Sequence, residues 1–305
     1  MKQPVFRGTA PALITPFTAD DRIDEAALRR VIDVQLAGEG DFDGVEALVV
    51  LGTTGENPTI MPDERRRLVE FVIEHVAGRV SVVVGTGTNN TAQSVTFSKE
   101  AADAGADGLL VVGPYYNKPT PDGVLGHVAA IADATDCPII LYNVPGRTGS
   151  NLTTETQLRV AEEIPSAVGT KEASGNLNQI ADILAHRPEG FAVYSGDDDL
   201  TLPMLALGAD GLVSVCANAI PGATSELVRR GLAGDFDGAR ALHFRLLDAM
   251  RASFAEANPG PVKAVMAEMG LIENRVRLPL APLSDANRVR VLDAYRPHVS
   301  TAVSA

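Results

Sequence analysis

The sequence predicts an α/β protein, a (β/α)8 barrel with a C-terminal helical extension. Short apolar runs rich in β-branched residues recur about 20–36 residues apart, as in repeated βα units. Each run is almost continuously apolar, which is typical of parallel strands covered on both faces. There are eight such runs, at residues 12–17, 47–51, 80–85, 108–112, 138–143, 167–171, 191–196 and 211–215.

Helical patterns lie between these runs and also follow them. Segment 62–77 opens with a proline and acidic residues. Segment 91–104 ends before Gly105, and segment 153–163 ends before Pro165. The junctions 104–108 and 207–211 both contain Gly-Ala-Asp-Gly, in which a glycine ends a helix before a tight turn into the next strand. Four more helices are expected, at 222–232, 235–256, 261–269 and 285–295.

Eight alternating units without a linker favour one barrel over a doubly wound open sheet, which seldom needs so many even repeats. We therefore predict a catalytic barrel domain over residues 1–220 and a helical extension over residues 221–305.

Composition limits the possible partners and compartment. The 305 residues include 45% hydrophobic and 21% charged residues, which indicates a globular chain, and the net charge of −13 argues against nucleic acid and anionic membranes as partners. Cys137 and Cys216 are the two cysteines and match neither a disulfide framework nor a zinc site. With no apolar leader at the start and no apolar run of membrane length, we expect a cytoplasmic protein.

The ends of the predicted strands carry the candidate chemistry, because barrel active sites lie at the carboxyl ends of the strands. Lys171 ends the sixth strand and Tyr142 lies at the end of the fifth, while Thr53 and Thr54 form a glycine-flanked turn after the second. A desolvated lysine is a nucleophile toward ketones, and a phenol with a hydroxyl relay can move protons. The turn's N–H groups could hold one carboxylate, and Arg147 could hold another.

Each of these residues also has an ordinary structural interpretation. Lys171 could be a satisfied ion pair, Tyr142 a packing residue and Arg147 a surface ion-pair member. Together with Thr53 and Thr54, these residues lie at the ends of the second, fifth and sixth strands of one barrel mouth, and the set favours Schiff-base chemistry. Glu172 is expected to point to the opposite face of the strand from Lys171, which leaves the amine without that partner.

Metal and nucleotide sites have little support in the sequence. The five histidines, at 75, 127, 186, 243 and 298, fall in predicted helices or flanking loops, away from the strand ends. The aspartates 197–199 could bind a hard cation, but such a run more often caps the next helix. The Gly-Thr-Gly at 85–87 lacks the third glycine of a dinucleotide fingerprint. We expect no metal and no cofactor.

Six motifs, in order along nearly the whole chain, resemble those of the dihydrodipicolinate synthase / N-acetylneuraminate lyase family of class I aldolases. They are Gly52-Thr53-Thr54-Gly55-Glu56, Pro114-Tyr115-Tyr116-Asn117, residues 142–149, Gly169-Thr170-Lys171-Glu172-Ala173, Ser195-Gly196-Asp197-Asp198 and residues 258–263.

The resemblance implies a role for each matching residue. Lys171 corresponds to the lysine that forms an imine with pyruvate, and Tyr142 to the general acid/base. Thr54 would link Tyr142 to Tyr116 in a proton relay. In that family the second tyrosine comes from a neighbouring subunit, so the resemblance implies a homo-oligomer, commonly a tetramer built of dimers.

The remaining matches concern substrate binding. Thr53 and Thr54 correspond to the contact with the pyruvate carboxylate, and Gly196 and Val213 to backbone contacts of the site. Arg147 corresponds to the residue that receives the carboxylate of aspartate semialdehyde.

The resemblance therefore implies condensation of pyruvate with L-aspartate-4-semialdehyde to 4-hydroxy-tetrahydrodipicolinate, the entry to diaminopimelate and lysine. The alternatives are another pyruvate-dependent aldolase, such as a 2-keto-3-deoxy-sugar-acid aldolase or N-acetylneuraminate lyase, and a non-catalytic keto-acid-binding barrel. One region departs from the lysine-inhibited members, which carry an acidic residue where this chain has Gln93 and histidine where it has Pro62 and Arg65. We expect lysine to inhibit weakly or not at all.

Overall fold

The computed structural model describes residues 2–299, and eight parallel strands form its centre. Strands β2 to β8 pair in chain order, β8 pairs with β1, and a bridge between Ala12 and Val49 joins the first strand to the second. The sheet therefore closes on itself, which confirms the predicted (β/α)8 barrel. The strands are β1 Gly8–Pro11, β2 Ala47–Val50, β3 Ser81–Gly85, β4 Gly108–Val112, β5 Ile139–Asn143, β6 Ala167–Glu172, β7 Ala192–Ser195 and β8 Gly211–Ser214.

Seven strands lie within two residues of their predicted limits, but the prediction for the first strand was wrong. β1 ends at Pro11, whereas the apolar run at 12–17 lies beyond it, in the mouth of the barrel. Leu13, Ile14 and Phe17 in this run are buried, and Ile14 N donates to Asn218 Oδ1 over 3.0 Å rather than to a ladder partner. The run is apolar because the loops and the extension cover it.

The helices of the chain alternate with the strands and then continue past β8. They are α1 Glu25–Ala37, α2 Pro62–Val76, α3 Thr91–Asp103, α4 Pro121–Ala132, α5 Pro145–Thr148, α6 Thr154–Glu163, α7 Leu177–His186, α8 Thr201–Ala206, α9 Pro221–Leu232, α10 Phe236–Ala252, α11 Gly260–Glu268 and α12 Asp285–Tyr295. Helix α9 packs against β1, α1 and α8, so it completes the outer ring of helices. The division at residue 220 stays a prediction. No helix within residues 2–299 is both long and apolar enough to cross a membrane.

The repeated Gly-Ala-Asp-Gly junctions have a common structural cause. Gly105 and Gly208 adopt φ of 96° and 101°, a left-handed backbone that favours glycine. The aspartate two residues later reaches back to the preceding strand: Asp107 Oδ2 accepts from Val82 N over 2.8 Å, and Asp210 Oδ2 from Val193 N over 3.0 Å. Each junction thus ends a helix and fixes the start of two neighbouring strands.

The barrel interior is filled mainly by small and branched side chains, with two tyrosines at different heights. Tyr194 closes the lower part, where its ring stacks on Phe6 and its hydroxyl donates to the carbonyl of Phe6 over 2.7 Å. Tyr142 belongs to the same interior cluster but lies near the carboxyl end of β5. The upper end of the interior is therefore where a polar site begins.

Candidate active site

Lys171 and Tyr142 come from directly paired positions of β6 and β5. Paired residues of neighbouring strands point to the same face, so both side chains enter the barrel mouth. The Lys171 Nζ lies 4.3 Å from the centroid of the Tyr142 ring, and both residues are buried. Among residues 2–299, no hydrogen bond or ion pair engages Lys171 Nζ. The structure thus places the two predicted residues together.

Glu172 points away from Lys171, as expected from strand alternation. Its carboxylate accepts from Asn143 Nδ2 over 2.6 Å and from Gln179 Nε2 over 3.2 Å, behind the barrel wall. Burial raises the pKa of Glu172 to about 7, and the hydrogen bonds from Asn143 and Gln179 oppose that rise. This carboxyl is therefore not the ion-pair partner of the lysine.

Gly196 provides the space that Lys171 occupies. A Cβ atom at Gly196 would lie 3.0 Å from Lys171 Cε and 2.6 Å from Ala173 Cβ, both closer than ordinary contacts. The Gly196 N–H donates to the carbonyl of Glu172 over 2.8 Å, which fixes this close approach. Val213, the other predicted contact, lies on β8 and is buried in the interior cluster.

The aspartates after β7 serve different purposes, neither of which is the expected helix cap. Asp198 is buried and binds the end of β8: it accepts from Ser214 Oγ and, over 3.0 Å, from Val215 N. Burial raises the pKa of Asp197 to about 6, while the charge of Lys171 opposes that rise. Asp197 thus follows Gly196 at the carboxyl end of β7 and is a residue to which the sequence analysis gave no role in the chemistry.

Thr54 is buried in the turn after β2, and its hydroxyl is held by the C-terminal extension. Asn258 Nδ2 donates to Thr54 Oγ1 over 2.9 Å. Within residues 2–299, no hydrogen bond joins Thr54 to Tyr142 or to Tyr116. The expected relay is therefore not closed within one chain.

Tyr116 lies at the surface. It follows β4 in a loop, adopts a φ of 73°, and is 88% exposed. Its backbone N–H donates to the carbonyl of Thr148 over 3.2 Å, which ties the loop to the chain that follows β5. Neighbouring Tyr115 is less exposed and lines a cavity.

A cavity of about 540 Å³ opens beside these residues. Thr53, Tyr142 and Arg147 line one part of it. Arg147 is exposed on the short helix α5 and has no ion-pair partner among residues 2–299. No acidic side chain from residues 2–299 lines the cavity, so its charge suits an anionic substrate.

The same cavity contains positions on which the expectation about lysine inhibition rests. Pro62 and Gln93 line it, whereas Arg65 is buried and does not line it. The Arg65 guanidinium donates to the carbonyl of Gly85 and lies 4.2 Å from the centroid of the Phe97 ring. Burial lowers the pKa of Arg65 to about 10, which leaves it cationic at neutral pH.

Comparison with known proteins shows the family of this chain. The sequence model of the dihydrodipicolinate synthetase family matches residues 5–296. The chain belongs to this family. It is 60% identical over 302 residues to the 4-hydroxy-tetrahydrodipicolinate synthase of Salinibacter ruber, with 98% of each chain covered. Identity to the 4-hydroxy-tetrahydrodipicolinate synthase of Methanosarcina barkeri is 45% over 293 residues, covering 96% of this chain and 98% of that relative.

A solved structure extends the similarity from sequence to fold. The dihydrodipicolinate synthase from Thermotoga maritima matches with a TM-score of 0.93 and 41% identity, over 97% of this chain and 99% of that one. The family resemblance that the six motifs indicated is therefore confirmed. Because the dihydrodipicolinate synthetase match includes residues beyond 220, it covers the helical extension as well as the barrel.

Proposed function

We propose that this protein condenses pyruvate with L-aspartate-4-semialdehyde to form 4-hydroxy-tetrahydrodipicolinate, the first committed step of diaminopimelate and lysine biosynthesis. Its membership of the dihydrodipicolinate synthetase family and its 60% identity to an enzyme of that name support the assignment. The mechanism rests chiefly on one observation: Lys171 is buried against the Tyr142 ring and has no ion-pair partner among residues 2–299.

In the first step, the neutral amine of Lys171 attacks the ketone carbon of pyruvate. Loss of water from the adduct requires a proton on the departing oxygen, and the Tyr142 hydroxyl is the nearest predicted donor. The product is an imine between Lys171 and pyruvate, so the reaction needs neither a metal nor an organic cofactor. Gly196 allows the lysine to reach this position because it has no side chain.

In the second step, the iminium withdraws electrons, and the pyruvate methyl group loses a proton to the Tyr142 oxygen, which gave up its own proton in the first step; the product is an enamine. The enamine carbon attacks the aldehyde carbon, and the resulting alkoxide takes up a proton through Tyr142 and Thr54. The amino group of the second substrate then attacks the imine carbon, which closes the ring and releases Lys171. No atom beyond the two substrates is consumed, and water is the by-product.

Arg147 and the turn after β2 would orient the two substrates. Arg147 has a planar pair of donors that suits the carboxylate of aspartate semialdehyde, and its lack of an ion-pair partner among residues 2–299 leaves those donors available. Thr53 and Thr54 would hold the pyruvate carboxylate. An aldehyde whose far end carries no carboxylate would lose the contact with Arg147. This contact therefore favours aspartate semialdehyde over sugar aldehydes.

The oligomeric state forms part of the same proposal. Tyr116 is far too exposed to act within its own chain, so we propose that it completes the relay in a neighbouring subunit of a homotetramer built of dimers. The enzyme would work in the cytoplasm, with no nucleic acid or membrane partner.

Reduction with borohydride in the presence of pyruvate tests the imine directly. We expect a covalent pyruvate adduct on Lys171, located by peptide mapping, and no adduct in the Lys171→Ala variant. Lys99→Ala, which removes an exposed lysine on α3, is the matched control and should label and turn over normally. A protein that binds pyruvate without an adduct would be a keto-acid-binding barrel. A preference for sugar-acid aldehydes over aspartate semialdehyde would identify another pyruvate aldolase.

A further inference from the structure

The C-terminal extension contacts the active-site turn at two points. Asn258, between α10 and α11, donates from Nδ2 to Thr54 Oγ1 over 2.9 Å, and both side chains are at least 95% buried. Two residues further along the turn, Glu56 pairs with the fully buried Lys263 of α11 and accepts from Arg277 N over 2.8 Å. The segment that carries Thr54 is therefore held by residues from outside the strand-and-helix repeats.

The direction of the hydrogen bond to Thr54 has a chemical consequence. A hydroxyl group has one proton to donate and can accept two, whereas an amide nitrogen can only donate. Because Thr54 accepts from Asn258, its own proton stays available for another oxygen. Within residues 2–299, Thr54 Oγ1 makes no second hydrogen bond, and Asn258 Oδ1 is buried without a partner.

The reverse amide orientation would have the opposite effect. The carbonyl of Asn258 would then take the Thr54 proton, and Thr54 could no longer donate to a tyrosine. The orientation present here leaves the Thr54 proton free to be donated to an oxygen other than that of Asn258.

We propose that Asn258 is a positioning residue that fixes the Thr54 hydroxyl and directs its proton toward the tyrosine oxygens. This inference rests on the proposed function, in which Thr54 carries protons between Tyr142 and Tyr116. It assigns the extension a part in the chemistry: the extension sets the direction of one hydrogen bond in the relay.

The test measures turnover and imine formation in the intact enzyme with Asn258→Ala and Asn258→Asp, each also combined with Thr54→Val. The aspartate variant has the same shape, but once ionised it only accepts hydrogen bonds and should draw the Thr54 proton toward itself. We expect both single variants to lower kcat by about 10- to 100-fold while the final extent of borohydride trapping with pyruvate stays at the wild-type level. The aspartate variant should be most active, relative to wild type, at low pH, where its carboxyl is protonated and can donate.

The double variants distinguish an effect exerted through Thr54 from a general disturbance of the active-site structure. If Asn258 acts only through Thr54, its replacement lowers kcat no further in the Thr54→Val background. Ser253→Ala is the matched control, because it removes a buried hydrogen bond of 2.5 Å to Tyr295 inside the extension without touching the turn. That control should lower the melting temperature and leave kcat unchanged.

Wild-type turnover in either single variant, or losses that multiply in the double variants, would overturn the inference. If the alanine variant does not fold, the isosteric aspartate variant and its pH profile decide the outcome alone. Failure of the wild-type enzyme to trap pyruvate would instead overturn the proposed function, so the two failures are distinguishable.

Discussion

The Lys171 nitrogen lies 4.3 Å from the centroid of the Tyr142 ring, and the two residues are directly paired across β6 and β5. This pairing fixes their distance through the backbone ladder rather than through flexible loops. The lysine side chain packs against the face of the ring and forms no ion pair within residues 2–299. An ion pair would orient the nitrogen toward its partner rather than toward a substrate. The arrangement thus places the two residues that we propose as nucleophile and acid/base group on rigid elements, which suits a reaction needing both in succession.

Gly196→Ala is expected to impair the lysine without removing it. The added methyl group would lie 3.0 Å from Lys171 Cε and 2.6 Å from Ala173 Cβ, so the lysine side chain or the β7 end must move. A displacement of about 1 Å at a reacting group can lower the rate about 100-fold. We therefore expect a loss of this size in the rate of imine formation, measured by timed borohydride trapping.

The control for this substitution is Gly126→Ala on helix α4. A Cβ at Gly126 meets nothing within 4 Å, so the same chemical change is made where there is room for it. This variant should trap pyruvate at the wild-type rate and gain up to about 1 kcal/mol of stability from the better helix propensity of alanine. Equal trapping rates in the two variants would contradict the role of Gly196.

Arg147→Ala is expected to weaken the binding of aspartate semialdehyde without affecting the reaction with pyruvate. Arg147 lines the cavity and has no ion-pair partner among residues 2–299, so its removal affects the incoming carboxylate more than the fold. We expect the KM for aspartate semialdehyde to rise and kcat/KM to fall about 100-fold, which corresponds to ~2.7 kcal/mol. Pyruvate trapping on Lys171 should be unchanged.

Arg159→Ala provides the matched control for that experiment. Arg159 is also a surface arginine, but it lies on α6 and pairs with Asp122 and Glu163. Exposed pairs contribute little, so the control should retain both kinetic constants. A parallel loss of pyruvate trapping in Arg147→Ala would show that the arginine supports the site in general rather than the second substrate.

Much of the fold could be predicted from sequence because parallel strands buried on both faces leave continuous apolar runs. The same signal misplaced the first strand, since Leu13, Ile14 and Phe17 are buried by the loops at the barrel mouth and not by strand pairing. Burial makes a segment apolar, whatever its hydrogen bonds. Only the ladder itself shows that β1 ends at Pro11.

The placement of the candidate site residues was predictable where they follow a strand and was missed where they come from elsewhere. Lys171 and Tyr142 end neighbouring strands, so the barrel topology alone brings them together. Asn258 lies more than 200 positions after Thr54, and no periodicity indicates that contact. A polar residue within the 258–263 motif, in an otherwise helical region, was the one available signal. Asp197 was missed because an aspartate run has a common structural explanation as a helix cap.

Glu172 predicts a pH dependence of stability. Its pKa is raised from an ordinary value near 4.5 to about 7, chiefly because burial disfavours the ionised form. Between these values the folded protein holds a proton that the unfolded chain has lost, so stability falls as pH rises through this window. A difference of this size corresponds to about 3 kcal/mol, present in full at acidic pH and lost above about pH 7.

The measurement compares urea unfolding of wild type and Glu172→Gln between pH 5 and pH 8. Other titrating groups contribute equally to both proteins, so the difference between them isolates Glu172. We expect the variant to gain about 2.5 kcal/mol relative to wild type across this range, because its amide does not ionise and part of the effect is already lost at pH 5. Glu162→Gln, at an exposed position of α6, should show a constant difference from wild type. The same constant difference in Glu172→Gln would mean that this carboxyl is already ionised in the folded state.

Lysine is expected not to inhibit this enzyme, because the cavity offers its ammonium groups no acidic partner. Within residues 2–299, none of the side chains that line the cavity is a carboxylate; Arg147 lines it, and Arg65 donates to the carbonyl of Gly85, which also lines it. A cationic amino acid entering there would lose hydration without forming an ion pair. Activity should therefore be unaffected by lysine at about 1 mM, the concentration at which even a weak complex of about −4 kcal/mol is half formed.

Gln93→Glu places a carboxylate on the lining and should make inhibition measurable, whereas Gln93→Ala should not. Half-inhibition of the wild-type enzyme below that concentration would show that lysine binds without a carboxylate.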